Sequence, residues 1–231
     1  MSETFRGYPV CTRTFMIAGR DWRVLGPANY ETLIDDPRVV ARFERDEFMP
    51  YWAEFWPASL LLADAVAAWE PAAGDVRPVV LEFGCGLGLI SLIAAERGYR
   101  VIASDYDDDA LAFVEENARR NGVPTPDVRF IDWRETYPEL RPERIIAAEV
   151  TYEARNLAPI AVFIRQHLAD NGFALLVDRN RQVADPFPER CRREGLAVEV
   201  VPAERPGLKA GEVIAGRFFR VTRQGSGVPR G

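Results

Sequence analysis

The sequence predicts an α/β fold: a mostly parallel seven-stranded sheet with helices on both faces and an N-terminal hairpin-and-helix extension. Two observations lead to this prediction. Short apolar runs alternate with segments of helical periodicity between residues 79 and 178. Glycines follow the first apolar run, as expected where a buried strand turns sharply into a helix.

Composition, net charge and cysteine spacing disfavour several classes of protein. The chain has 231 residues, of which 48% are hydrophobic and 28% charged, as in folded globular proteins. Its formal net charge of −6 disfavours a main role on a nucleic-acid backbone, because proteins with that role are usually basic. Cys11, Cys85 and Cys191 form no CxxC pair, so we expect neither a disulfide framework nor a metal site.

The same sequence gives no sign of export or membrane insertion. The first ten residues lack a basic region followed by an apolar stretch. The most apolar segment, Ala58 to Trp69, is too short for a bilayer and contains Asp64. We therefore expect a cytoplasmic protein with no membrane span.

The first βα unit begins at Val79. Val79 to Phe83 is a short, mostly apolar run typical of a buried strand, and Gly84, Gly86 and Gly88 follow it. An apolar helix comes next and is predicted to stop at Gly98, since glycine adopts the left-handed conformation without a Cβ clash.

The second unit has a strand from Arg100 to Ser104 that ends at Asp105. A helix follows, with acidic residues 107–109 in its first turn and basic residues 119–120 in its last, before Gly122. These charges oppose the helix dipole at both ends, so they favour a helix over this segment.

Three strands and two helices are predicted beyond this unit. They lie at Val128 to Trp133, Arg144 to Val150, Asn156 to Ala169, Phe173 to Asp178 and Pro186 to Glu194. Two late strands, Leu196 to Val201 and Arg217 to Val221, suggest an antiparallel hairpin that closes the sheet. His167, the only histidine, is expected on a helix surface.

The N-terminal part is predicted as a hairpin and a helix. Apolar and polar residues alternate from Arg13 to Leu25, which predicts a hairpin across Gly19-Arg20-Asp21. A helix from Ala58 to Trp69 is predicted to start just after Pro57, since proline suits the first helical turn.

The glycine turn and Asp105 have the spacing of a nucleoside-type cofactor site. Gly84 and Asp105 are 21 positions apart, and an acid at the end of the second strand holds ribose hydroxyls in such sites. A dinucleotide fingerprint requires G-x-G-x-x-G/A, whereas Leu89 occupies the third required position here. The pattern therefore disfavours a pyrophosphate cradle.

At these residues the sequence resembles a known family. Glu82-Phe-Gly84-Cys-Gly86-Leu-Gly88, followed by Asp105, is similar to the first two motifs of class I seven-β-strand S-adenosylmethionine-dependent methyltransferases. Three further segments resemble the lysine methyltransferase branch with a (D/E)xx(Y/F) signature: Trp56-Pro-Ala-Ser-Leu60, Asp132-Trp133 and Glu149-Val-Thr-Tyr152. The resemblance covers roughly Tyr51 to Asp178.

The resemblance implies S-adenosylmethionine as the cofactor and assigns its contacts. Gly84, Gly86 and Gly88 would admit its amino-acid part, with Asp105 on the ribose, and Glu82 would also belong to the cofactor site.

The other matched residues surround the adenine and the acceptor. Asp132 and Trp133 would lie beside the adenine, and Trp56 would help to close the cofactor pocket. Glu149 and Tyr152 would be catalytic, orienting an acceptor amine where the methyl group emerges.

The implied function is N-methylation, most simply of a protein lysine, with a small-molecule amine as the alternative acceptor. An NAD-dependent oxidoreductase and a non-catalytic cofactor-binding protein are further alternatives. The chain lacks the N-P-P-Y motif of methyltransferases that act on amide or nucleobase nitrogen. We expect neither a nucleic-acid nor a membrane partner. The expected organisation is an N-terminal extension (1–57), a methyltransferase domain (58–223) and a flexible tail (224–231).

Overall fold

The computed structural model describes residues 3–47, 49–74 and 77–225, so the predicted tail lies outside it from residue 226 onward. The strands of this part are β1 (Thr4–Phe5), β2 (Tyr8–Ile17), β3 (Arg20–Pro27), β4 (Val79–Phe83), β5 (Arg100–Asp105), β6 (Asp127–Phe130), β7 (Arg144–Ala148), β8 (Phe173–Asp178), β9 (Leu196–Pro206) and β10 (Val213–Arg223). The α-helices are α1 (Glu31–Ile34), α2 (Pro37–Asp46), α3 (Ser59–Ala67), α4 (Leu89–Glu96), α5 (Asp108–Asn121), α6 (Ala154–His167) and α7 (Phe187–Arg193).

The predicted α/β class is confirmed. Seven strands form one sheet in the order β6-β5-β4-β7-β8-β10-β9, and β1, β2 and β3 form a second sheet. The strands from β4 to β8 pair in parallel, while β10 pairs antiparallel with both β8 and β9. The central strands β4, β7 and β8 are largely apolar because helices cover both faces of the sheet, whereas the edge strand β6 contains Asp127 and Arg129.

Helix caps fix the two βα units next to the glycine turn. Gly88 precedes α4 in a left-handed conformation (φ 84°), and a Cβ there would lie 2.8 Å from a methyl carbon of Val114. Asp107 caps α5 by accepting a hydrogen bond from the Asp109 N–H at 2.8 Å. Gly122 ends α5 with φ 63°, as the charge pattern and glycine predicted.

The N-terminal hairpin is attached to α5 through a buried asparagine. Asn117 is fully buried; its Oδ1 accepts from the Leu25 N–H at 2.7 Å and its amide donates to the Leu25 carbonyl at 3.0 Å. The same amide donates to the carbonyl of Leu87 in the glycine turn at 3.0 Å. One side chain thus joins the hairpin, α5 and the turn.

Two predicted strands are too long at their carboxyl ends. The strand predicted to reach Trp133 ends at Phe130, because the Asp132 carboxylate accepts from the Arg134 N–H at 2.9 Å and closes a turn. The strand predicted to reach Val150 ends at Ala148, because Glu149 has φ 60°, outside the strand region.

The N-terminal prediction was partly wrong. The hairpin is present, but its turn is Ala18-Gly19, both with positive φ, and Arg20 already belongs to β3. Sequence reasoning missed β1, α1 and α2. It also made the two late strands too short, since the antiparallel pairing of β9 and β10 runs from Leu196↔Arg223 to Pro206↔Val213.

The prediction that His167 is a surface residue was wrong. His167 is fully buried; its Nε2 accepts from the Tyr137 N–H at 2.9 Å, and its Nδ1 lies 2.8 Å from the Phe163 carbonyl oxygen. Burial lowers its pKa, which agrees with a neutral imidazole. Its role is to join α6 to the loop after β6, away from the glycine turn.

Asn117→Ala should destabilise the protein by about 2–4 kcal/mol, because it leaves buried backbone groups of Leu25 and Leu87 without partners. Asn121→Ala is the matched control: Asn121 makes the same two bonds to the backbone of Arg23, but in an exposed setting. The control should lose less than about 1 kcal/mol. Urea unfolding measures both, and equal losses would contradict this account of Asn117.

Candidate functional site

A cavity of about 390 Å³ opens at the carboxyl ends of the parallel strands. Its floor is formed by residues that follow β4, β5 and β7. Its opposite wall comes from the N-terminal segment and includes Tyr51, Trp52 and Trp56. Ligands of open α/β sheets bind in this position, and the volume is in the range of small-molecule sites.

The glycine turn brings backbone to the cavity floor. Gly84, Gly86 and Gly88 all line the cavity. At Gly86, with φ 52°, a Cβ would lie 3.2 Å from the carbonyl oxygen of Trp52 on the opposite wall. A side chain there would be strained and would crowd that wall, so the position requires glycine.

Asp105 ends β5 with its carboxylate beside the turn. The Gly86 N–H donates to its Oδ2 at 2.9 Å, and the Tyr106 N–H donates to its Oδ1 at 2.8 Å. Each oxygen retains a lone pair for a ligand hydroxyl. Burial raises the pKa of Asp105 to about 7, against the lowering effect of these hydrogen bonds.

Glu82 lies beneath the turn at the end of β4. It is buried, and the Ser91 hydroxyl donates a hydrogen bond to its Oε2. Burial raises the pKa of Glu82 to about 8; the Ser91 bonds oppose the shift and the nearby Asp105 charge adds to it. Two carboxyl groups of raised pKa therefore lie at the cavity floor, as is common at functional sites.

Asp132 is held by a neighbouring arginine. The Arg134 Nε and Nη2 donate to the two Asp132 oxygens at 2.8 and 2.7 Å, and the guanidinium lies 5.2 Å from the centre of the Tyr106 ring. Burial alone would raise the pKa of Asp132, but the bonds and charge of Arg134 outweigh it and lower the pKa. Asp132 is therefore an anion with oriented acceptor oxygens.

Two tryptophans form apolar walls. Trp133 contacts the edge of Phe83 at a centroid distance of 5.8 Å and lines the cavity with Gly84. Trp56 donates its indole N–H to the Tyr51 carbonyl at 3.0 Å, which fixes its ring at the opposite wall. Flat rings of this kind suit the faces of a nucleobase.

Glu149 follows β7 and lines the cavity in a left-handed conformation. Its N–H donates to the Val177 carbonyl at 2.9 Å, and its side chain is 2% exposed. Among the described residues neither carboxylate oxygen accepts a hydrogen bond, although Arg181 Nη1 lies 2.5 Å from Oε2 as an ion pair. Burial raises the pKa of Glu149 to about 7, and Arg181 opposes the rise.

Tyr152 lies three residues further along, at the rim. Its ring contacts the edge of the Tyr51 ring at a centroid distance of 5.2 Å. Burial, and then the charge of Glu153, raise the pKa of the Tyr152 phenol, so the hydroxyl stays protonated. The structure therefore brings all the predicted site residues to one cavity.

Acidic side chains outnumber basic ones around the cavity. The carboxylates are Glu47, Glu54, Glu82, Asp105, Asp132, Glu149 and Glu153, against Arg134 and Arg155. The described residues contain no group of three or more His, Cys, Asp or Glu that could hold a metal ion. None of the described helices is both long and apolar enough to cross a membrane.

Sequence reasoning missed part of this site. The segment after α2 contributes Glu47, Met49 and Tyr51 to the cavity. No sequence motif marks this segment as part of a site. Arg134 was also missed, although an arginine two residues after a strand-end aspartate is a recognisable partner.

The fold is of the α/β class that binds nucleoside-containing cofactors. It has parallel βα units, with a glycine turn and a strand-end acid that face one cavity. A family model described as "Methyltransferase domain" matches residues 55–212, and the chain belongs to this family. The chain therefore carries a methyltransferase domain, and its fold is shared with an S-adenosylmethionine-dependent methyltransferase of Corynebacterium glutamicum (TM-score 0.54, 17% identity, covering 85% of this chain and 100% of that one).

Relatives and solved structures agree with this family. The chain is 27% identical over 210 residues to a ribosomal protein L11 methyltransferase of Chromohalobacter salexigens, covering 83% of the chain and 66% of that protein. It is 38% identical over 122 residues to an uncharacterized RNA methyltransferase of Protochlamydia amoebophila, covering 53% and 26%. The chain thus spans two thirds or less of these relatives. A structure of ribosomal protein L11 methylase from Lactobacillus delbrueckii subsp. bulgaricus aligns with TM-score 0.54 and 18% identity, covering 70% and 76%.

The cavity residues fit S-adenosylmethionine. The close approach of backbone at Gly86 leaves no room for a side chain, and Asp105 keeps free lone pairs beside it. The acidic lining suits a cation that also carries an ammonium group, and Trp133 offers a face for the base. When bound, this cofactor supplies a methyl group activated on a sulfonium.

Asp105→Ala should weaken S-adenosylhomocysteine binding by about 10- to 100-fold, because a hydrogen bond to a charged carboxylate contributes about 1.5–3 kcal/mol. Asp108→Ala is the matched control, since Asp108 is exposed at the start of α5 and does not line the cavity. Calorimetry measures both. Unchanged affinity in folded Asp105→Ala would contradict its assignment to the ribose.

The raised pKa of Glu82 should appear in the pH dependence of stability. Unfolded Glu82 ionises near its ordinary pKa of 4.5, whereas the folded group keeps its proton to about pH 8. Between these values the folded state holds the extra proton, so the free energy of unfolding falls as pH rises, by at most about 1.4 kcal/mol per unit. Glu82→Gln should remove the part of this decrease in the free energy of unfolding that Glu82 causes.

The measurement is urea unfolding of the ligand-free protein from pH 5 to 8. Glu82→Gln should become steadily more stable relative to the parent as pH rises, while exposed Glu199→Gln should follow the parent. Parallel curves for the parent and Glu82→Gln would show that Glu82 does not hold a proton in the folded state.

Proposed function

We propose that the protein transfers a methyl group to the side-chain amine of a lysine in a protein substrate. The observation that carries the proposal is Glu149: a buried carboxylate at the cavity wall whose oxygens have no hydrogen-bond partner among the described residues. A buried carboxylate that has one ion pair, to Arg181, and no hydrogen bond is incompletely stabilised, so a further cationic group that reaches it gains strongly. A lysine ammonium is such a group.

The rim of the cavity supports a lysine-bearing segment. Tyr51, Trp56 and Tyr152 provide aromatic edges and faces along which an alkyl chain can lie. Glu54 and Glu153 add negative charge at the lining. A passage lined by these aromatic rings and by a carboxylate fits a long apolar stem with a cationic head.

The chemistry requires alignment more than a strong base. Glu149 would attract the ammonium and orient its nitrogen, and Tyr152 would confine it from the side. The ammonium must lose one proton to solvent before transfer, so that the nitrogen lone pair can form the new N–C bond as the methyl leaves sulfur. The aromatic rim limits water around the reacting atoms.

The named relatives favour a protein acceptor. Two of the comparisons above carry the name ribosomal protein L11 methyltransferase or methylase. The name RNA methyltransferase also occurs, but the acidic lining and the net charge of −6 repel a phosphate backbone. A small-molecule amine fits the same Glu149 contact and is an outcome of the labelling test below.

The proposal includes a division of the chain. Residues 58–223 would form the methyltransferase domain, and residues 1–57 an extension that supplies the outer wall. Trp52 and Tyr51 of this extension line the cavity, which supports a role in closing it. The predicted residues Trp56, Glu82, Asp132 and Trp133 would then hold the cofactor from both sides.

Glu149→Gln should lower methyl transfer by about 10²-fold or more and leave S-adenosylhomocysteine affinity within a few-fold, because it removes the charge that orients the amine. Tyr152→Phe should be milder if the ring mainly shapes the passage. Single-turnover transfer and calorimetry on the same preparations measure these effects. Full activity in Glu149→Gln would contradict its role, and a parallel loss of cofactor affinity would place it in the cofactor site.

The acceptor class is tested by labelling. Cell extract, purified protein and cofactor with a labelled methyl group are incubated, and the label is followed into protein and small-molecule fractions. Label in protein, located on lysine by hydrolysis, is expected. Label confined to small amines, or to RNA, would replace the protein-lysine proposal. Glu149→Gln provides the background control.

A further inference from the structure

The charge on Glu149 depends on one side chain in direct contact with it. Arg181 Nη1 lies 2.5 Å from Glu149 Oε2, and both oxygens are buried without a hydrogen bond from any described residue. The other charges that face Glu149 come from the end of β8 and the loop after it: Arg179 with the same sign as Arg181, and Asp178 with the opposite sign.

Arg181 is firmly anchored at its backbone, whereas part of its guanidinium is left without bonds. Its N–H donates to Asp178 Oδ1 at 2.8 Å, and its carbonyl accepts from Arg217 Nη2 at 2.8 Å. Its Nη1, in contrast, is buried without a hydrogen bond among the described residues. The side chain follows Asn180, which has φ 62°. The guanidinium is thus held mainly by charge, because the same Nη1 lies 2.5 Å from Glu149 Oε2 and 3.9 Å from Asp178 Oδ2.

Arg181 also lies beside an aromatic residue of the cavity. Its guanidinium carbon is 5.8 Å from the centre of the Trp56 ring, and Trp56 lines the cavity. The Arg181 side chain is 16% exposed, against 2% for Glu149. A cation that travels along Trp56 toward Glu149 therefore meets Arg181 in contact with the carboxylate.

We propose that Arg181 is a positioning residue: it is the resident counter-ion of Glu149, and the acceptor's ammonium takes over that place when it binds. This inference rests on the proposed amine acceptor. Exchange of one cation for another keeps the net charge of the buried site constant while the ammonium binds. A neutral molecule cannot make the exchange, and Arg181 thereby selects cationic acceptors.

Removal of Arg181 should leave Glu149 protonated in the resting protein. Burial already holds the pKa of Glu149 at about 7 with Arg181 present, and the loss of that charge raises it further. Arg179→Met is the matched control: Arg179 lies over the same Trp56 ring at 5.6 Å, but no ion pair with Glu149 is formed at contact distance. Its effect should be less than half as large.

The test follows the Glu149 carboxyl carbon by NMR in protein labelled with ¹³C-glutamate, with S-adenosylhomocysteine bound and the signal assigned through Glu149→Gln. In Arg181→Met the Glu149 titration should move up by at least one pH unit relative to the parent. n-Butylammonium, used as the amine probe, should move it back down in that variant. Arg181→Lys, which keeps a cation, should titrate close to the parent.

Each result decides the question. Identical titrations in the parent and Arg181→Met would overturn the counter-ion role. No response of Arg181→Met to n-butylammonium would overturn the exchange. If Arg181→Met does not fold, the Arg181→Lys titration decides, because a shift as large as one unit there would contradict rescue by charge. These readouts need no turnover, so failure of the lysine-transfer proposal in the labelling test is distinguished from failure of this one.

Discussion

The cost of burying carboxylates governs the active cavity. Glu82, Asp105 and Glu149 all lie at the carboxyl ends of neighbouring strands, and burial raises the pKa of each toward or above neutrality. Hydrogen bonds and counter-ions offset that cost differently: a hydroxyl for Glu82, two backbone N–H groups for Asp105, an arginine for Glu149. These contacts offset only part of the cost of burying the carboxylates. A cationic ligand can offset more of it, which explains why the cavity suits a sulfonium and an amine together.

Much of the fold could be predicted from the sequence because its signals are local. The run from Val79 to Phe83, the glycines after it and the capped helix over 108–121 each specify one element through residues close in sequence. The carboxyl ends of parallel strands meet at one edge, so the predicted site residues converge as soon as the strand order is right. Their assignment to cofactor and acceptor came from the resemblance and stays a prediction.

What the sequence did not predict depends on contacts distant in the chain. His167 looked like a surface residue because nothing near it indicates that the loop containing Tyr137 covers it. Half of the residues of helix α2 are charged, and its position was missed. Arg181 has no motif at all, and only the approach of the loop after β8 to Glu149 gives it a partner. Tertiary context decided each of these cases.

The strand order has a consequence for synthesis of the chain. β10 lies between β8 and β9 and pairs with both, although it follows both of them in the chain. While the ribosome is still adding residues 179–212, the edge of β8 has no neighbour, and β9 has no strand to pair with. At about 5–20 residues per second, this interval lasts roughly two to seven seconds. The nascent protein thus passes through a stage in which the edge of β8 is open, and β10 covers this edge in the folded protein.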